Sequence, residues 1–134
     1  MKQMDLSSNN IDGPLPPIPA ECLKINLSQN KFSGTLLSLS VFKILALSFL
    51  DISHNQLFGA LPDNWMYLQG LVILNLGYNN ISGRIPMSIG ELVSLQTLFL
   101  RNNMLYGELP VSMKNCSNLG FVNLGLNNHG LGNR

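Results

Sequence analysis

Asp51, Ser53 and His54 supply, in one short stretch, the residue types of an acyl-transfer triad. That chemistry needs a base within reach of the hydroxyl, an acid that orients the base, and a cradle of donors for the oxyanion. Here Asp51 and Ser53 lie two apart on one strand pattern, His54 falls at its exposed end, and nothing nearby suggests the cradle. Metal chemistry fares no better. Two histidines (His54, His129) and two distant cysteines (Cys22, Cys116) have no metal-ligand spacing. Neither G-x-x-x-x-G-K-[ST] nor G-x-G-x-x-G occurs. The expectation is a protein that binds, without catalysis, metal or cofactor.

Three other features touch on chemistry. Asn26-Leu27-Ser28, Asn80-Ile81-Ser82 and Asn115-Cys116-Ser117 are glycosylation sequons, so Asn26, Asn80 and Asn115 are acceptor candidates in a secreted chain. Asn80 and Asn115 are expected outside the binding face, whereas Asn26 falls on it. The proline run Pro14, Pro16, Pro17 and Pro19 reads as a fixed extended path in preference to a ligand for a proline-binding domain.

The elements that position these residues come from a repeat. The stretch 71–95, LVILNLGYNNISGRIPMSIGELVSL, has marker residues at Leu71, Leu74, Leu76, Asn79, Ile81, Gly83, Ile85, Pro86, Ile89 and Leu92. Shifted forward it fits Leu95, Leu98, Leu100, Asn103, Leu105, Gly107, Leu109 and Pro110. Shifted back it fits Leu47, Leu50, Ile52, Asn55, Leu57, Gly59, Leu61 and Pro62. The spacing is the L-x-x-L-x-L-x-x-N-x-L signature of leucine-rich repeats. Six anchors recur, Asn9, Asn30, Asn55, Asn79, Asn103 and Asn127, at intervals of 21, 25, 24, 24 and 24. Repeats therefore start near residues 1, 22, 47, 71, 95 and 119, with Met1 in the first leucine slot. The sixth fails at its end, where His129 takes a leucine slot and Gly130-Leu131 invert the usual order.

One repeat explains its own slots. Alternation in L-x-x-L-x-L sends one set of side chains inward and the other outward, as a strand requires. A lone repeat cannot bury its leucines, so neighbours must. The asparagine ends the strand, and its amide is expected to satisfy loop backbone groups that would otherwise be buried unpaired. The expected architecture is an α/β leucine-rich-repeat solenoid, right-handed, of about six repeats. It has a parallel concave sheet, an irregular or 3-10 convex side, and one domain spanning 1–134. Cys22 and Cys116 then lie three repeats apart, some 14 Å or more at about 4.8 Å per strand, beyond the roughly 7 Å a disulfide spans. Both read as small buried apolar residues.

Composition narrows the partners. The 134 residues are 46% hydrophobic and 11% charged with a net charge of +1, too neutral to track a phosphate backbone, so no nucleic acid is expected. The most apolar run, 41–52, is broken by Lys43, Ser48 and Asp51 and is shorter than the ~20 residues of a membrane span. The opening MKQMDLSSNN lacks the apolar centre of a signal peptide.

The segments ISGRIPMSIGELVSLQTLFLRNN and LPVSMKNCSNLGFVNLGLNN resemble the plant-specific class of leucine-rich repeat, with its L-x-G-x-I-P continuation. LPDNWMYLQGLVILNLGYNNISGRIP and LRNNMLYGELPVSMKNCSNL are similar to receptor-like proteins, including the group that perceives fungal xylanase. The resemblance covers about residues 1–128. It implies an extracellular ectodomain at the plasma membrane, held by a membrane helix elsewhere, that senses a protein or peptide ligand and signals through partner or co-receptor kinases in defence or development. The family's caps, membrane helix and kinase domain are not in this chain, which is expected to be an internal piece. Two alternatives stand beside this reading: a secreted inhibitor of a pathogen enzyme, such as a polygalacturonase inhibitor, and a non-functional truncated duplicate.

Function is expected on the outward strand positions. One column is Asp5, Asn26, Asp51, Asn75, Phe99 and Asn123, and the column before it is Gln3, Lys24, Phe49, Ile73, Thr97 and Phe121. Phe49, Ile73, Phe99 and Phe121 are expected to form an apolar strip flanked by His54, Tyr78 and Arg101, with Asp51 and Asn75 beside them. Aromatics near arginine are what a protein or peptide contact uses.

Overall fold

The computed structural model describes residues 2–128 and 130–132. The first leucine slot at Met1 and the irregular slot at His129 lie outside the described residues. Short strands alternate with loops and 3-10 turns throughout. The strands beginning each repeat are β1 (Gln3–Asp5), β3 (Lys24–Asn26), β5 (Phe49–Asp51), β7 (Ile73–Asn75), β9 (Thr97–Phe99) and β11 (Phe121–Asn123). They form one six-stranded parallel sheet in that order. Each is three residues long because only three positions lie between the incoming loop and the asparagine turn. In register, Met4, Ile25, Leu50, Leu74, Leu98 and Val122 stack along the inner face.

A second sheet was not foreseen from the sequence. After each asparagine the chain runs extended again, as β2 (Asp12–Gly13), β4 (Lys31–Gly34), β6 (Gln56–Ala60), β8 (Asn80–Gly83) and β10 (Met104–Leu105). These pair in parallel in the order β10-β8-β6-β4-β2. Their register is staggered: Phe58 pairs with Asn80, two residues before the equivalent position in the next repeat, and Met104 pairs with Ser82 in the same sense. Isoleucine, leucine or phenylalanine at the second position (Phe32, Leu57, Ile81, Leu105) points into the core, and exposed apolar neighbours such as Phe58 and Met104 blur the alternation. The glycine after it has φ between +84° and +92° at Gly34, Gly59, Gly83 and Gly107, a conformation a side chain resists. The outer arc carries 3-10 segments at Leu37–Ser40, Met66–Leu68, Met87–Glu91 and Val111–Asn115.

The core is a single stack of leucine and isoleucine layers between the two sheets and the outer arc. Leu50, Leu74 and Leu98 are fully buried, while Met4 and Leu124 are only partly so. Trp65 occupies the slot filled by Ile89 one repeat later and is wholly enclosed. Its indole N–H has no partner among the described residues. Cys22 and Cys116 are both buried and unpaired, and burial pushes the Cys116 thiol up from its ordinary range. Among the described residues no helix is long and apolar enough to cross a membrane.

Candidate functional site

The six anchor asparagines form a ladder. Asn79 donates its amide hydrogens to the carbonyls of Leu76 (3.2 Å), Gly77 (3.2 Å) and, one repeat back, Ile52 (3.1 Å). Its Oδ1 accepts the N–H of Leu57, also one repeat back, at 3.1 Å. The same set recurs at Asn30, Asn55, Asn103 and Asn127, whose Oδ1 atoms accept from Ile11, Phe32, Ile81 and Leu105. Among the described residues Asn9 donates only within its own turn, to Leu6 and Ser7. No other side chain offers two donors and an acceptor at this reach, and asparagine fills the slot in all six repeats.

The residue before each asparagine has a left-handed backbone. Ser8, Gln29, His54, Tyr78, Asn102 and Leu126 all have φ between +54° and +58°. That rotation turns their N–H across to the next repeat: His54 donates to Gly77 O at 3.0 Å and Tyr78 to Arg101 O at 2.8 Å. The conformation costs about 1–2 kcal/mol for a residue with a side chain. It recurs because the inter-repeat hydrogen bond needs it.

The column Asp5, Asn26, Asp51, Asn75 and Asn123 does a second structural task. Asp51 Oδ1 accepts the Ser53 N–H at 2.9 Å and the Ser53 hydroxyl at 2.6 Å. Asn75 Oδ1 accepts the Gly77 N–H at 3.0 Å. These are Asx turns that close the strand end. At Asp5 the Ser7 hydroxyl, then the Ser7 N–H, hold the carboxyl below the usual carboxylate range. So one side-chain oxygen of Asp51 and of Asn75, both expected on the binding face, is engaged at the strand end. The same bond disposes of the triad geometry: the Ser53 hydroxyl donates to Asp51, while His54 stacks on Tyr78 with centroids 4.2 Å apart and planes 9° from parallel.

The apolar strip spans two neighbouring columns, as the spacing predicts. Register places Phe49, Ile73, Thr97 and Phe121 in one column and Asp51, Asn75, Phe99 and Asn123 in the next. Phe99 therefore interrupts the Asx column, and it meets Phe121 on the diagonal, centroids 5.2 Å apart and tilted by 54°. Phe49, Ile73 and Phe99 are half-buried by their neighbours, while Phe121 is 51% exposed. Sheet neighbours, not sequence order, decide which aromatics touch.

One shallow cavity of about 270 Å³ gathers much of the expected set: Ser53, His54, Asn75, Tyr78, Phe99, Arg101 and Asn123, with Gly77 in its wall. Arg101 lies along Gly125, where any Cβ would collide with its guanidinium. Phe49 and Asn26 line a separate hollow of about 240 Å³ with Gln3, Met4, Asp5 and Lys24. Of the sequons, Asn26 is half-buried on the first sheet, and Asn80 and Asn115 are exposed. Asn80 begins a strand of the second sheet, outside the first. The arrangement offers stacked rings, a cation and side-chain amides on a rigid concave face, and it can hold an extended polar chain by shape and hydrogen bonding.

Comparison with known proteins agrees with this architecture. A family model described as "Leucine rich repeat" matches residues 47–105, and a second, "Leucine Rich Repeat", matches residues 1–22. The chain is 43% identical over 72 residues to receptor-like protein EIX2 of Solanum lycopersicum, which covers 54% of this chain and 7% of that protein. It is 38% identical over 88 residues to Cuscuta receptor 1 of the same species, covering 62% and 8%. The chain thus spans under a tenth of these relatives. Among solved structures, the ectodomain of the Arabidopsis thaliana receptor kinase GASSHO1/SCHENGEN3, in complex with CASPARIAN STRIP INTEGRITY FACTOR 2, superposes with a TM-score of 0.86 at 33% identity. That match covers 97% of this chain and 16% of the other. The Arabidopsis receptor kinase HAESA, in complex with the peptide hormone IDA and the co-receptor SERK1, gives 0.79 at 36% identity, over 92% and 21%.

Proposed function

We propose, for a chain that belongs to the leucine-rich-repeat family in its plant receptor-like group, that it forms part of the ligand-recognition face of a cell-surface receptor. In this reading it works at the extracellular side of the plasma membrane, binds a protein or peptide through the concave sheet, and acts by recognition without chemistry or cofactor. A co-receptor kinase completes the signal, in defence or development. The carrying observation is the cavity that joins the His54–Tyr78 stack, Phe99 and Arg101. Phe99 supports it further, because an aromatic there gives up the strand-closing turn that Asp or Asn makes in the other five repeats. The cited relatives are receptors, and two of the similar ectodomains are in complex with named partners, one of them a peptide hormone.

The test is binding. An extracellular peptide fraction from plant tissue is titrated against the chain and against F99S and R101Q. Truncating a central anchor costs an interface about tenfold or more in affinity, so both variants should lose a saturable component that the parent retains. Equal retention by parent and variants would overturn this reading.

A further inference from the structure

The sequon asparagines Asn26 and Asn80 sit in opposite environments. Asn26 is committed: its Oδ1 accepts both the N–H (3.0 Å) and the hydroxyl (2.6 Å) of Ser28, the sequon's own serine. Asn80 is the reverse. It is exposed, it opens β8 on the outside of the second sheet, and among the described residues its side chain makes no hydrogen bond. The next residue, Ile81, is fully buried, which fixes Asn80 and Ser82 to the outer face by alternation. The stagger of the second sheet then sets Phe58 directly beside Asn80 on β6. Phe58 is 51% exposed, a flat apolar ring on the outer surface of a sheet. Without the stagger its neighbour would be Ser82.

We propose that Asn80 carries an N-linked glycan whose first sugar rests on the Phe58 ring. A sugar ring has an apolar C–H face that an exposed aromatic covers well, and a pair directly opposed across strands is close enough to meet. The transfer itself is a substitution. The Asn80 Nδ2 forms a bond to the anomeric carbon of an oligosaccharide carried on a lipid pyrophosphate. The bond from that carbon to the pyrophosphate oxygen breaks, the lipid pyrophosphate leaves, and one amide proton goes to a base of the transferase. Ser82 is not consumed. The glycan would sit on the flank of the solenoid and leave the concave cavity open.

The inference rests on the cell-surface reading for access to the secretory pathway, and the experiment separates the two. The full chain is expressed in plant cells behind a heterologous secretion leader, so entry no longer depends on the native location. Enzymatic release of glycans in heavy-oxygen water, followed by peptide mass mapping, reads each asparagine. Occupancy of Asn80 with little or none at Asn26 is the expected result. An unmodified Asn80 in secreted chain, alongside a co-expressed control glycoprotein that is modified, overturns the proposal whatever the chain binds. Occupied Asn80 in a chain that fails the peptide titration overturns only the receptor reading. F58S then tests the contact: removal of the glycan should lower Tm by a few degrees in the parent and change little in the variant. Equal shifts overturn the resting place on Phe58.

Discussion

Asn79 and Asn9 occupy the same slot in two different repeats, yet one is a buried bridge and the other an exposed turn. Asn79 is 8% exposed and ties its loop to the preceding repeat through Ile52 and Leu57. Asn9 is exposed and, among the described residues, bonds only Leu6 and Ser7. The cores differ in the same way: Leu74 is sealed on both sides, and Met4 is half-covered. A consensus position has no fixed energetic weight. Its weight comes from what is stacked on either side.

Substitutions can break that contrast, and chemical denaturation is the measurement for all of them. Leu74→Ala should cost about 3–4 kcal/mol, the upper range for a sealed leucine, and Met4→Ala about 1 kcal/mol, because its site can collapse or fill with water. Asn79→Ala should cost about 2–3 kcal/mol, since the Leu57 N–H loses its partner in the interior and the Ile52 carbonyl keeps only the Asn55 amide; Asn9→Ala should stay within about 0.5 kcal/mol. Equal losses at the paired positions would sink the nearest-neighbour account. Gly83→Ala tests the second sheet. Its Cβ would meet only Ala60 at 3.8 Å, so the loss of about 1 kcal/mol is pure backbone conformation. The smallest change is a gain: Leu126→Asn keeps φ near +54° at an exposed site with a residue that tolerates it, for up to about 1 kcal/mol.

The first sheet was legible because leucine slots at fixed spacing admit one register, and that register is what Leu50, Leu74 and Leu98 adopt. The concave columns followed by arithmetic. What arithmetic missed was diagonal contact: Phe99 and Phe121 stand in different columns and meet only because side chains lean across the pleat. The second sheet was hidden because its strands are only two to five residues long and exposed apolar residues such as Phe58 and Met104 blur their alternation. The left-handed backbone at His54 and Tyr78 was hidden more deeply. Six unrelated side chains share it, so composition carries no trace, though a glycine or asparagine majority would have revealed it. The Asx turns at Asp51 and Asn75 had a signal that was read as binding chemistry: a recurring Asp or Asn two residues before Ser or Gly.

The direction of the asparagine ladder has a consequence for synthesis. In every pair it is the later repeat that reaches back, so Ile11, Phe32, Leu57, Ile81 and Leu105 have their N–H groups satisfied by an asparagine that leaves the ribosome about twenty residues afterwards. Each newly emerged coil therefore waits, with one inward amide open, until its successor arrives. Domains form from the N-terminal side during translation, and here that order is also the order in which each coil is finished.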